Sequence, residues 1–214
     1  MICISIGSGS IQEIDVICRN HDLTELRLDL LNLELNYVDY LLNNHTNIIV
    51  TYRLNCNNYD LDYAITIYRK ALLCNVSYID IDLNDYTTIH IHLENELAKS
   101  STKLILSYHN HDYTPDPSNL NTIFYKMQSF NADISKLCFK ANNISDVIRT
   151  MELYKNAKTN KLIAFNLGDI GSLSRILAIQ KGAPFMYAST ENNKTEPSQL
   201  SFDELSRIME LLQI

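Results

Sequence analysis

Apolar residues fall in short runs along the whole 214-residue chain, and the runs alternate with stretches of helical period. Strand-like runs cover Ile2–Ile6, Glu25–Leu30, Asn47–Arg53, Tyr78–Leu83, Lys103–His109, Ile134–Lys140, Lys161–Leu167 and Pro184–Ser189. Between them the spacing of apolar positions predicts helices over Tyr59–Leu73, Asn119–Phe130, Ile144–Lys155, Leu173–Lys181 and Phe202–Leu212, with shorter ones around Ile11–Cys18 and Tyr37–Asn43. Ser145 before Asp146, and Ser201 three residues before Glu204, read as helix N-caps. Strands spaced about 20–30 residues apart and followed by helices predict an α/β chain folded as a (β/α)8 TIM barrel. A single barrel domain over residues 1–214 is expected, since neither a linker nor a low-complexity run interrupts the pattern. The competing open doubly wound sheet would carry a glycine-rich turn after its first strand. Gly7-Ser-Gly9 is present there, but no third glycine follows.

Side chains alternate along a strand, so residues two apart share a face. In Glu25-Leu-Arg-Leu-Asp-Leu30 the charges Glu25, Arg27 and Asp29 share one face and the leucines the other. Asp80 and Asp82 alternate in the same way with Ile79 and Ile81, and Lys136 shares its face with Cys138 and Lys140. In a barrel the apolar set meets the outer helices and the charges point inward. A solvated antiparallel face would explain such charges as well, but helical connectors argue for a parallel sheet covered on both sides. Charges inside a barrel are costly unless paired, so a mixed-sign cluster predicts a polar site. The C-terminal mouth, where Arg53 and His109 end their strands, is the expected place.

Composition narrows the partners. The net charge of −7 argues against nucleic acid, whereas local arginines still suit a small anionic substrate. Five cysteines (Cys3, Cys18, Cys56, Cys74, Cys138) without a C-x-x-C spacing indicate neither a disulfide framework nor a zinc site, and reduced thiols in a cytoplasmic protein are expected. The start, Met-Ile-Cys-Ile-Ser-Ile-Gly, lacks a basic segment and reads as a strand rather than a signal peptide, and no apolar run approaches membrane-spanning length.

The chemistry lies on two neighbouring strands. Lys136 sits within Ile134-Ser-Lys-Leu-Cys-Phe-Lys140, where desolvation is expected to push its pKa down toward a nucleophilic amine. His109 closes Lys103-Leu-Ile-Leu-Ser-Tyr-His109. An amine beside a histidine base suggests imine chemistry on a carbonyl compound. After the seventh strand, Gly168-Asp-Ile-Gly-Ser-Leu-Ser-Arg175 permits a tight turn into a helix whose amides favour an anion, with Arg175 adding a forked donor suited to a carboxylate. The long polar stretch Thr190–Ser198 reads as a mobile lid ending at Gln199. The pairs His109/His111 and His90/His92 have a metal-like spacing, but no further ligand set accompanies them. His90 and His92 are expected on a solvated segment.

Taken together, these segments resemble the type I 3-dehydroquinate dehydratases almost from end to end. The resemblance rests on Glu25-Leu-Arg-Leu-Asp29, Thr51-Tyr-Arg53, Ser107-Tyr-His-Asn-His-Asp-Tyr-Thr-Pro115, Met127–Lys136, Gly168–Arg175 and Pro197-Ser-Gln199. It implies reversible dehydration of 3-dehydroquinate to 3-dehydroshikimate in the shikimate pathway of aromatic amino acid biosynthesis. It also implies a Schiff base on Lys136, acid–base catalysis by His109, no cofactor and no metal, and a homodimer. Arg175 would hold the substrate carboxylate with Gln199 and Thr195, and Glu25, Arg27 and Arg53 would bind ring hydroxyls with help from Ser5.

Three departures from the family pattern stand out. Asp82 occupies the place of a glutamate that orients the histidine. Phe139-Lys140-Ala141 replaces a Met-Pro continuation. Thr195-Glu-Pro-Ser-Gln199 replaces Ser-Ala-Pro-Gly-Gln. Lys140 is an alternative nucleophile, and an ion pair of Lys136 with Asp80 or Asp29 is the structural alternative to catalysis. Another imine-forming barrel enzyme, such as a class I aldolase acting on a phosphorylated sugar, and a non-catalytic ligand-binding barrel remain open readings.

Overall fold

A computed structural model describes residues 1–54, 60–157, 161–190 and 194–213. Its eight strands are β1 (Ile2–Ile6), β2 (Thr24–Arg27), β3 (Ile48–Thr51), β4 (Tyr78–Asp82), β5 (Lys103–Asn110), β6 (Ile134–Lys140), β7 (Leu162–Leu167) and β8 (Met186–Ala188). All ladders are parallel, from β7 through β6, β5, β4, β3, β2 and β1 to β8. The helices are α1 (Ile11–Asn20), α2 (Leu28–Leu31), α3 (Leu35–Asn44), α4 (Leu61–Leu73), α5 (Tyr86–His90), α6 (Glu94–Leu97), α7 (Pro117–Ser129), α8 (Ile144–Glu152), α9 (Ser172–Gln180) and α10 (Phe202–Leu212). This is the (β/α)8 barrel, nearly closed. The gap lies between β7 and the three-residue β8, which share no ladder among the described residues.

The alternation read from the sequence has a direct counterpart in the packing. Ile79 and Ile81 are buried in the apolar core, while Asp80 between them is buried in ion pairs. Tyr68 on α4 pins the ends of two strands from outside. Its hydroxyl accepts the Tyr52 N–H at 3.1 Å and lies 2.8 Å and 3.0 Å from the carbonyl oxygens of Asp80 and Tyr52. That anchor fixes the backbone on which Arg53 and Asp80 are mounted.

Several expectations change. β2 ends at Arg27, and the chain turns into α2, which Asn32 closes in the left-handed conformation at φ 46°. Asp29 is therefore helical and not a strand residue. The N-cap of α8 is Asn143, in a reciprocal capping box with Asp146, rather than Ser145, whereas Ser201 and Glu204 form the expected box on α10. Two short helices, α5 and α6, occupy the β4–β5 connection, where the sequence suggested only a solvated segment. Ile89 and Leu93 bury there, while His92 is exposed and His90 half-buried against Tyr86. Tyr59, the first residue of one predicted helix, and Cys56 lie outside the described residues.

Candidate active site

Near the C-terminal ends of the strands, four inward-facing charges make a closed set. Lys136 on β6 is 5% exposed, and its Nζ donates to Asp80 Oδ2 at 3.0 Å and to Glu25 Oε1 at 3.3 Å. Asp80 also accepts from Arg53 Nη2 at 2.9 Å and from the Ser107 hydroxyl at 2.6 Å. Glu25 accepts from Ser5 Oγ at 2.5 Å and from Thr51 Oγ1 at 3.0 Å. The ring of Tyr187 on β8 faces the ammonium, with Nζ 3.8 Å from its centroid, a cation–π contact.

These partners overturn the expected fall in the lysine pKa. Burial pushes the Lys136 ammonium down, but the charges of Asp80 and Glu25 outweigh it and hold its pKa above the ordinary lysine value. The two carboxylates respond in kind. Burial pushes both up, yet Asp80 ends well below the usual carboxylate range, through Arg53 and then Lys136, and Glu25 is lowered through Lys136. The pairing of Lys136 with Asp80 is thus real, and Glu25 takes the second place suggested for Asp29. Asp29 instead grips Arg27 in a bidentate pair, Nε–Oδ1 3.0 Å and Nη2–Oδ2 2.7 Å.

His109 on β5 pairs in register with Cys138, and Ser107 with Lys136, so histidine and lysine lie on adjacent strands one inward step apart. Its Nδ1 stands 3.5 Å from Asp82 Oδ2, longer than an ordinary N–H···O bond. Burial lowers the imidazole pKa to about 4. The Asp82 contact opposes that fall, while Arg53 and Lys136 reinforce it. His109 is consequently a neutral base at physiological pH. His111 lies face to face with it, ring centroids 6.2 Å apart and planes 10° from parallel.

Arg175 presents the opposite situation. The turn before it is built for close approach. A Cβ on Gly171 would lie 2.6 Å from the Asn166 backbone, and Gly168 adopts φ +83°. Ser174 Oγ donates to the Gly171 carbonyl at 2.5 Å and accepts the Asn166 N–H at 2.7 Å, locking the start of α9. Two amides of the turn are occupied, Gly171 N–H by the Gly168 carbonyl and Gly168 N–H by Ser198 Oγ of the lid at 2.9 Å. Arg175 is the forked donor that follows this turn. That side chain is 2% exposed, stacks on Phe165 at 4.2 Å, and leaves its Nε without a hydrogen-bond partner. It makes no ion pair among the described residues, and burial lowers its pKa to about 10.

A cavity of about 480 Å³, measured out to its open mouth, brings together Ser5, Glu25, Arg27, His109, Lys136, Arg175, Thr195 and Gln199. Arg53 and Asp82 do not line it. They reach it through Asp80 and His109. Gln199 Oε1 accepts from the Thr195 N–H at 3.2 Å and hydroxyl at 2.9 Å, and the same hydroxyl lies 3.4 Å from Ser5 Oγ. Residues 191–193 of the predicted lid lie outside the described residues. Lys140, the alternative nucleophile, is not in the cavity. Its Nζ abuts the Gly168 turn, where a Cβ would come within 2.9 Å of it. Sequence reasoning missed Tyr187, Phe165, Leu167 and Glu196 as lining residues. Tyr187, Phe165 and Leu167 are aromatic or apolar strand or strand-end residues that read as core, whereas Glu196 lies in the lid segment, where its position in the sequence does not place it against Arg175.

Comparison with known proteins agrees with this geometry. The family model described as type I 3-dehydroquinase matches residues 2–214. A 3-dehydroquinate dehydratase of Methanocaldococcus jannaschii is 28% identical over 225 residues, covering 100% of both chains. One of Dehalococcoides mccartyi is 32% identical over 145 residues, 67% of this chain and 64% of that one. Among solved structures, the type I 3-dehydroquinate dehydratase of Clostridium difficile with covalently modified comenic acid superposes at TM-score 0.85 with 23% identity, over 99% of this chain and 91% of that one. The Aquifex aeolicus 3-dehydroquinate dehydratase does so at 0.81 with 22% identity, over 99% and 98%. A family match spanning nearly the whole sequence, on a barrel whose mouth gathers a lysine, a histidine and an unpaired arginine, leaves one assignment: the chain belongs to the type I 3-dehydroquinase family.

Proposed function

We propose that Lys136, His109 and Asp82 carry the reversible dehydration of 3-dehydroquinate to 3-dehydroshikimate, a hydro-lyase reaction of the shikimate pathway, within one barrel domain over residues 1–214. The observation that carries the reading is the cavity shared by Lys136, neutral His109 and the unpaired Arg175. Arg175 takes the substrate carboxylate, with Thr195 and Gln199 beside it. Glu25 and Arg27 serve the ring hydroxyls, with Ser5 holding Glu25, and Arg53, which does not line the cavity, acts on them through Asp80.

The chemistry follows from the charges. Lys136 passes a proton to His109 and attacks the ketone, and His109 returns that proton to the resulting hydroxyl, which leaves as water to give a protonated imine, an electron sink. Asp80 and Glu25, already placed around a cation on Nζ, stabilise the iminium cation equally well. The raised lysine pKa is then the ground-state sign of a site built for a positive nitrogen. His109 removes the proton from the carbon next to the imine, giving an enamine. It returns that proton to the hydroxyl one carbon further along, which departs as water. Addition of water to the conjugated iminium releases the enone and restores Lys136. Asp82 is a positioning residue that holds the imidazole from Nδ1.

A homodimer in the cytoplasm belongs to the same reading. Ile144 and Ile148 on α8, Ile170 in the turn before α9 and Leu173 on α9 are exposed apolar residues on elements that pack together, which supports self-association. Cys3, Cys18 and Cys138 are buried free thiols, and among the described residues no helix is long and apolar enough to cross a membrane.

The test is direct. Purified protein given 3-dehydroquinate should generate the ultraviolet absorbance of a conjugated enone, and Lys136→Ala and His109→Ala should remove it. An inert wild type, or full turnover by Lys136→Ala, would overturn the assignment.

A further inference from the structure

Glu196 occupies an unexpected place for an acid. It lines the same cavity as Arg175, in a site that must accept an anion. It is half-buried, and the Ser198 hydroxyl lies 3.3 Å from its Oε1. Ser198 in turn accepts the Gly168 N–H at 2.9 Å, so the acid is tied to the turn that carries Arg175. Glu196 is close enough for its charge to act on the guanidinium, yet the two form no ion pair. The remaining cavity charges are already matched, Lys136 with Glu25 and Asp80, and Arg27 with Asp29. Among the described residues the mouth therefore offers one uncompensated cation with one carboxylate standing off from it.

We propose that Glu196 is a specificity-determining charge filter, which lets Arg175 hold a singly charged anion and turns doubly charged anions away. A monoanion gains contact with Arg175 at hydrogen-bond distance and meets Glu196 only from further off. A dianion meets twice that repulsion, and among the described residues the cavity has no second free cation for its second charge. A buried arginine beside a glycine turn would otherwise suit a phosphate monoester or a dicarboxylate. The filter so restricts the ligand class to compounds with one carboxylate. As it concerns substrate choice, this rests on the dehydratase reading, but the charge relation itself does not.

The test compares sulfate with methanesulfonate, tetrahedral anions of double and single charge, on wild type, Glu196→Gln and Glu196→Ala. Calorimetry on the substrate-free protein gives their dissociation constants, and steady-state kinetics gives KM and kcat for 3-dehydroquinate. Glutamine preserves an acceptor for Ser198 and removes only the charge. At about fivefold per unit of ligand charge, Glu196→Gln should tighten methanesulfonate and lower KM by about fivefold, and tighten sulfate by about 25-fold, with kcat nearly unchanged. Glu196→Ala should show the same ordering. Equal gains for the two anions, no gain, or a raised KM in Glu196→Gln would overturn the proposal. So would an effect confined to Glu196→Ala, since that marks a tether rather than a charge. If the protein fails to dehydrate 3-dehydroquinate, the calorimetric comparison still decides the filter.

Discussion

Two cations buried within one cavity are treated in opposite ways. Lys136 sits against two carboxylates and the face of Tyr187, and those carboxylates are themselves held by Arg53, Ser107, Ser5 and Thr51. Arg175 is just as deeply buried, yet its Nε has no partner and no carboxylate pairs with it among the described residues. A buried charge that is fully matched belongs to fixed machinery. One left unmatched is a cost that folding bears for a ligand to repay.

The largest test of this contrast is thermodynamic. Asp80→Asn removes the shared counter-charge of Lys136 and Arg53 and should destabilise the fold by about 3–5 kcal/mol in denaturant unfolding. Arg175→Met removes an unpaired cation of similar burial and should leave stability unchanged or raise it by about 1–2 kcal/mol. Comparable losses in both variants would erase the distinction. Next in size is binding. Arg175→Met should raise KM roughly 10–100-fold, the range for losing hydrogen bonds to a charged group. An unchanged KM would remove Arg175 from the substrate.

Acid stability, compared between wild type and a His109 variant, separates this imidazole from His21, also lowered by burial, and from Asp85, which burial raises to about 6. The His109 imidazole is neutral in the folded chain down to about 4, whereas an unfolded histidine titrates near 6.5. Between those values the unfolded chain binds the extra proton, so this contribution is complete above 6.5 and is lost as the pH falls toward 4. The loss should be about 2–3 kcal/mol across that window, allowing for partial exposure of the ring, and His109→Gln should flatten it. Asp80 and Asp82, lowered rather than raised, add their own losses only below the ordinary aspartate range. An identical slope in His109→Gln would exclude a buried neutral imidazole. The smallest effect is expected from Asp82→Glu. The added methylene closes the 3.5 Å gap to Nδ1, so the His109 pKa should rise by somewhat less than about one unit, read by NMR titration. No movement would mean that the carboxylate does not reach the ring.

The sequence's legibility divides along the same physical lines. Strands with a two-residue period announced which charges enter the barrel, and Glu25, Asp80 and Lys136 are where that period puts them. Asp29 failed the rule because the ladders of β2 end at Arg27, and a strand's end depends on its neighbours rather than on its own residues. The same limit hid α5 and α6, each no longer than five residues and held by packing of Ile89 and Leu93 rather than by helix propensity. The direction of the Lys136 pKa shift needed the partners, since a strand of apolar residues predicts desolvation but not two carboxylates from β2 and β4. Tyr187 carries no motif and Glu196 only marks a departure within the lid segment, so both matter because of what the fold sets beside them.

The central claim is that the matched lysine is the nucleophile. It is tested most directly by intact mass after borohydride reduction in the presence of 3-dehydroquinate, on wild type, Lys136→Ala and Lys140→Ala. A substrate-sized adduct is expected in wild type and Lys140→Ala and none in Lys136→Ala. An adduct that persists in Lys136→Ala, or a folded wild type that gains no mass, would contradict it.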